Sequence, residues 1–358
     1  MFKLLLLLLA QLLQSTSSVS TDTCPTHCIC HLEFKFATCT SANLTKLPPT
    51  IPPCTEHLDL SFNHLDFIQH RAFQNVRRLN TLLLNDNRIS ALASGAFLPL
   101  EFLLKLDLSH NNITILNKGF SSGLFSLREL YLVQNQLLMV NNECFLHLDS
   151  IRKLDLRQNN ISSIQVRAFS SLSTLRRVFL DNNQISSLEN RVFSMLRNLE
   201  ELGLSGNLIE HLGVGVLSPL TSLALLNLAD NQLTQIDFKS FLSLHTRSTH
   251  IRLDGNPWTC DCDLQRVFRK LHSVHRLLLD DYDNLTCTKP EELRGSALLD
   301  VDSKLCFAET VTVLMITVTV LITVVAAIIM AEKNRKHTNK GKHWTEVSEV
   351  SFDSQKSF

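Results

Sequence analysis

Residues Ile151 to Ile161 read IRKLDLRQNNI, with aliphatic side chains at the first, fourth, sixth and eleventh places and asparagine at the ninth. The pattern recurs 24 residues upstream as LRELYLVQNQL, Leu127 to Leu137, and 24 residues downstream as LRRVFLDNNQI, Leu175 to Ile185. Followed by its asparagine alone, the series runs Asn63, Asn87, Asn111, Asn135, Asn159, Asn183, Asn207, Asn231 and Asn256, in seven steps of 24 residues and a last of 25. A second column falls ten residues after each asparagine, as Phe73, Phe97, Phe145, Phe169, Phe193 and Phe241, with Phe120 slipped by one and Leu217 substituted. A helical bundle would not keep asparagine at one phase over nine turns, because its period is 3.6 residues.

The string resembles the L-x-x-L-x-L-x-x-N-x-L signature of leucine-rich repeats. The resemblance implies an α/β solenoid, a horseshoe with a parallel β-sheet on its concave face. Each residue type has a task. Leu154 and Leu156, two apart, enter the interior from one face of a strand. Lys153, Asp155 and Arg157 point outward. The turn after the strand leaves backbone groups without sheet partners, and a stacked asparagine amide offers them two donors and an acceptor. The phenylalanine column fills the far side of the coil.

Lys3, an apolar run from Leu4 to Leu13 and small polar residues through Ser20 make residues 1–20 a secretory signal peptide. Export to an oxidising compartment turns closely spaced cysteines into a disulfide framework rather than a zinc site. Cys24, Cys28, Cys30 and Cys39 precede the first repeat and close its apolar end. Residues 21–54 resemble the cysteine-rich amino-terminal flank of extracellular leucine-rich repeat proteins, which implies bonds Cys24–Cys30 and Cys28–Cys39. Eight repeats then occupy 55–246, and 247–306 hold a terminal half-repeat and a second cap. Nine strands at a spacing of about 4.8 Å make a face on the order of 40 Å long, suited to a macromolecule. The NPW-x-C-x-C string and Cys287, Pro290, Leu293 and Gly295 resemble the carboxy-terminal flank of the same family and imply Cys260–Cys287 and Cys262–Cys306. Between the two, LQRVFRKL carries apolar residues at helical spacing behind a cap at Asp263. Cys54 and Cys144 lie too far apart to pair, about 18 Å at the strand spacing. Cys144 is expected as a buried thiol, and Cys54 as free or bonded between molecules.

Within 307–331, Val311 to Ala331 run 21 residues without a charge, about the 30 Å of a hydrocarbon layer. Lys333, Arg335, Lys336, Lys340 and Lys342 follow. The positive-inside rule then gives a plasma-membrane protein of type I with an extracellular amino terminus. Residues 332–358 form a cytoplasmic tail too short for a folded domain, and its serines are open to phosphorylation.

Lysine and arginine number 34, as do aspartate and glutamate, so no charge excess argues for nucleic acid. No linear catalytic motif or phosphate loop is present, and neither enzyme activity nor a metal or cofactor is expected. Asn43, Asn112, Asn160 and Asn284 open N-x-[ST] sequons. On the outward strand positions, Tyr131 and Phe179 stand among Arg128, Arg152, Lys153, Arg157, Arg176 and Arg177. Two readings stay open: these charges solvate a face and pair with one another, as Arg176 with Glu200, or they form a basic and aromatic patch for an acidic protein or glycan.

The chain is similar to single-pass surface leucine-rich repeat proteins, a class of adhesion molecules, receptor subunits, immune receptors and auxiliary subunits of potassium channels. Its first functional expectation is a recognition or adhesion receptor for a protein ligand. The second is a subunit acting on a channel or receptor in the same membrane. The short link from Cys306 to Val311 supports it, as do the threonines of the span, which suit helix association, and the basic flank, which attracts anionic lipid. The oligomeric state stays open.

Overall fold

Three residues of each repeat lie extended, the middle one turned inward and the outer two outward. The computed structural model describes residues 24–301 and 303–350, the side chains of 303–310 and 336–350 excepted. The expected signal peptide and the last residues of the expected tail lie outside the described residues. An antiparallel hairpin opens the sheet, β1 (Ile29–His31) and β2 (Phe36–Thr38). The repeat strands follow as β3 (His57–Asp59), β4 (Thr81–Leu83), β5 (Lys105–Asp107), β6 (Glu129–Tyr131), β7 (Lys153–Asp155), β8 (Arg177–Phe179), β9 (Glu201–Gly203), β10 (Leu225–Asn227) and β11 (Thr249–Arg252). β12 (Leu277–Leu279), from the second cap, completes a sheet of 12 strands laid side by side in chain order. From β2 onward every join is parallel, and Lys153 is in register with Glu129 on one side and Arg177 on the other.

The asparagine column turns the chain. Asn159 Nδ2 donates to Leu132 O of the preceding repeat at 2.8 Å and to Leu156 O and Arg157 O of its own at 3.1 and 3.2 Å. Its Oδ1 accepts from Leu137 N at 3.0 Å. The other asparagines repeat this arrangement, for example Asn183 at Leu156 O and Asn207 at Leu180 O. The residue before each asparagine is left-handed, with φ between 52 and 67°. Only Gly206 and Gly255 adopt that conformation freely. Phe62, Gln134 and Gln158 adopt it because the ladder fixes the turn around them.

The phenylalanine column is buried throughout. Phe145, Phe169 and Phe193 stack nearly parallel at centroid spacings of 6.3 and 6.2 Å, as do Phe73 and Phe97 at 5.9 Å. Phe120 instead meets Phe97 edge-on, at 88°. Its one-residue slip in the sequence brings the ring in from a different place along the returning segment. Cys144, beside Phe145, is a free buried thiol that reaches Leu116 O at 3.4 Å and Asn141 Oδ1 at 3.1 Å, and burial pushes its pKa up.

In the caps, Cys24 is bonded to Cys30, Cys28 to Cys39 and Cys260 to Cys287. Cys262 is disulfide-bonded; the side chain of Cys306, its expected partner, lies outside the described residues. Cys54 is free and half-buried. A short helix α1 (Phe238–Leu242) closes the eighth repeat, and α2 (Cys262–His272) follows the half-repeat. The cap of α2 is Asp261 rather than the expected Asp263, because the helix begins earlier: Asp261 Oδ1 accepts from Leu264 N at 2.7 Å. Asp263 sits in the first turn and pairs with Arg266 at 2.8 Å. Leu264, Phe268 and Leu271 are buried, with Phe268 edge-on to Trp258 at 5.3 Å.

A second unit begins at Val301. It holds the helix α3 (Ser303–Val350), of which Val311–Arg335 is long and apolar enough to cross a membrane.

Candidate recognition surface

Of the eight residues singled out in the sequence, Tyr131, Lys153, Arg177 and Phe179 lie on the strands β6, β7 and β8, and Arg128, Arg152, Arg157 and Arg176 lie directly beside them. Neither aromatic ring stands bare. Tyr131 and Phe179 are half-buried because cations lie over their faces. Lys105 Nζ is 5.2 Å and Lys153 Nζ 4.6 Å from the Tyr131 ring centre, while Lys153 Nζ is 5.4 Å and Arg157 Cζ 5.3 Å from that of Phe179. Lys153 thus bridges the two rings from the strand between them, an attraction of order 0.5–1 kcal/mol per contact at an exposed site. The Tyr131 hydroxyl donates to Glu129 at 3.0 Å. Burial first, and then this carboxylate, pushes the phenol up to about 12, so it remains a neutral donor.

Asp155 departs from the expectation that it faces water. It projects on the outer face but is fully buried, because the Arg157 guanidinium folds back over it with two bonds, at 2.8 and 2.7 Å. The bonds to Asp155 raise the pKa of Arg157. Arg176 pairs with Glu200 of the next strand at 2.7 Å, as the charge-pairing reading expects. Arg128, Arg152 and Arg177 are exposed and make no ion pair among the described residues. The patch therefore divides: Lys153, Arg157 and Arg176 are engaged within the fold, and three arginines at the start of successive strands are exposed.

A feature missed in the sequence lies further along the face. Asp230, Asp254, Asp280 and Asp281 surround a notch with Arg252 among them. Asp281 is 8% exposed; one oxygen accepts from Leu253 N and Asp254 N at 2.5 and 2.6 Å, and the other is buried without a hydrogen bond. Burial, and then the Asp281 carboxylate, raises the pKa of Asp254. Asp280 binds His250 at 2.7 Å and lies 3.7 Å from Arg252. The sequence carried no signal for this grouping, since Asp280 and Asp281 come from a cap whose docking has no repeat period.

The sequon asparagines Asn43, Asn112, Asn160 and Asn284 are all exposed, and Asn112 and Asn160 occupy the same turn two repeats apart. Among the described residues no group of three or more His, Cys, Asp or Glu side chains is arranged to hold a metal ion.

Stacked parallel strands, an asparagine ladder and disulfide caps define a solenoid of the extracellular repeat class. The leucine rich repeat family model matches residues 53–113, 77–137, 149–209 and 197–257, more than half of the chain, and the protein belongs to that family. It is similar to mouse chondroadherin-like protein, 40% identical over 28% of this chain and 14% of that protein. It is also similar to human amphoterin-induced protein 2, 35% identical over 21% of this chain and 14% of that protein. The matches span between 13% and 34% of the length of the first curated relatives. Among solved structures, human trophoblast glycoprotein (Wnt-activated inhibitory factor 1) aligns with a TM-score of 0.60 and 28% identity, over 79% of this chain and 98% of that one.

Proposed function

We propose that the protein is a cell-surface recognition or adhesion receptor of type I at the plasma membrane, binding a protein ligand through β6–β8 and without catalysis of its own. The observation that carries this reading is the trio Arg128, Arg152 and Arg177, exposed and without an ion pair among the described residues, at the start of three successive strands around two half-buried aromatic rings. Aromatic and arginine side chains dominate binding energetics where they meet a partner. An acidic protein segment supplies carboxylates to the arginines and an apolar edge to Tyr131 and Phe179. Glycans on Asn43, Asn112, Asn160 and Asn284 complete the ectodomain; those on Asn112 and Asn160 leave the turn beyond the strands. The test is a screen of secreted and surface proteins against cells displaying the full chain. The pair Tyr131→Ala and Arg152→Glu should weaken the selected ligand by about a hundredfold or more, the loss of one or two anchors of about 2 kcal/mol each. Undiminished binding removes this face from the proposal.

A second reading, a subunit acting on a channel in the same membrane, is supported by the brief link between Cys306 and Val311. The span supports it less. Thr317, Thr319 and Thr323 each donate to the carbonyl three residues earlier in their own helix at 2.8 Å, so their hydroxyls are already satisfied.

A further inference from the structure

The notch at the far ends of the last strands holds more negative charge than the fold neutralises. Asp230 follows β10, Asp254 follows β11, and Asp280 and Asp281 follow β12, four carboxylates against the one guanidinium of Arg252, a surplus of three negative charges with histidine neutral. Arg252 is drawn to Asp280, and His250 bonds the same carboxylate. Asp230 is exposed and makes no ion pair among the described residues; its carboxylate lies over Gly255, where a Cβ would collide with Oδ1. Asp281 supplies an independent sign of a ligand. It is 8% exposed, and its Oδ1 is buried with no hydrogen-bond partner. Buried polar atoms are paired as a rule, and an ionised one left unpaired costs free energy until a cation or a donor completes it. Burial and the nearby Asp281 also raise the pKa of Asp254, so these carboxylates hold a proton more firmly where no other cation is present.

We infer that this notch receives a basic side chain of the protein ligand, a guanidinium above all, because its five donors serve several carboxylates at once. The inference rests on the reading of the face as a recognition surface and adds a second anchor of opposite sign. The space is about 370 Å³, at the small end of the range of about 300–1,000 Å³ that ligand pockets span, which suits one long side chain. The two anchors are separate. Register sets Lys153 level with His250 four strands on, about 19 Å across the sheet, and Asp254 lies four residues further along its strand. A ligand that reaches both sites therefore carries its acidic and basic groups on the order of 20 Å apart.

The probe is a fluorescent peptide of five arginines, titrated onto the full-length protein in an uncharged detergent and followed by anisotropy. A peptide of five citrullines, nearly the same shape without the charge, is its control. Saturable binding of the arginine peptide alone is expected. Asp230→Asn with Asp254→Asn should weaken it by about tenfold or more, whereas Glu200→Gln with Glu201→Gln, which removes as much charge on and beside β9, should change it by less than about twofold. A melting temperature no lower than that of the wild type shows that the notch variant folds. The inference is overturned if the citrulline peptide binds as well, if the notch variant binds as the wild type does, or if the two variants weaken binding equally. Displacement of the peptide by calcium at constant ionic strength also overturns it and assigns the notch to a metal ion. The screened protein ligand separates this inference from the reading beneath it. A ligand that depends on Arg152 and not on Asp230 and Asp254 overturns the notch and leaves the recognition face standing. One that depends on Asp230 and Asp254 and not on Arg152 upholds the notch and removes β6–β8.

Discussion

At the scale of single residues, the side chains that matter most are polar and buried. Asn159 serves three carbonyls and one N–H across two repeats. Replacing it by alanine strands those groups inside, at about 1–3 kcal/mol for each left unsatisfied. Asn159→Ala should cost about 3 kcal/mol or more in chemical denaturation, and Asn159→Asp nearly as much, since it keeps the acceptor and loses the donors. Asp254 yields the opposite result. Its carboxyl is raised above the ordinary value by burial and then by Asp281, so the folded state holds the proton more tightly than the unfolded state. The group therefore favours the fold at low pH, and that contribution is lost as pH rises through the raised value. Asp254→Asn should raise the melting temperature at neutral pH, with the advantage shrinking toward zero as pH falls to about 4. An advantage that grows on acidification would reverse the assignment.

At the scale of elements, each strand is only three or four residues long and gains its stability from the strand on either side. The caps accordingly matter more than their size suggests: a solenoid's stability is a sum of neighbour terms, and an uncapped end frays. Arg276 shows how the second cap is tied on, its guanidinium donating to Leu242 O and Leu244 O at 3.2 Å each. A cap disulfide contributes about 2–4 kcal/mol. Cys262→Ser should therefore be retained in the secretory pathway. Cys144→Ser should reach the surface, because the serine hydroxyl can donate its one proton to Leu116 O or Asn141 Oδ1 as the thiol does, and only a fitted apolar contact is lost. Surface staining of the two variants decides it, and retention of Cys144→Ser alone would exchange the roles of the two cysteines. The helix α2 offers a finer check: Asp261→Ala should destabilise the cap by about 1 kcal/mol and Asp263→Ala by less, as the N-cap geometry requires.

At the scale of the whole molecule, the recognition face and the helix Val311–Arg335 are separate units with separable tasks under the proposed function. Replacing residues 311–331 by an unrelated apolar span should leave surface delivery and ligand binding unchanged, measured by staining and by binding of the screened ligand. A loss of activity with binding intact would favour the subunit acting within the membrane.

The sequence by itself determined the solenoid, because its period is written in residues that have no alternative use. An asparagine every 24 positions can only be a ladder, and leucines two apart can only line one side of a strand. It also showed which residues share the face, since register follows from the period. The tertiary structure decided how those residues spend their charge. Asp155 and Arg157 share a strand face, yet only the fold shows one buried beneath the other. Lys105 and Lys153 cover rings that sequence alone left bare. The carboxylates of Asp254 and Asp281 meet because a cap without a period docks on the last repeat. The reason is common to all three: a repeat pattern fixes backbone positions, while the direction of a long charged side chain is settled by its neighbours in space, and those neighbours differ from one strand to the next.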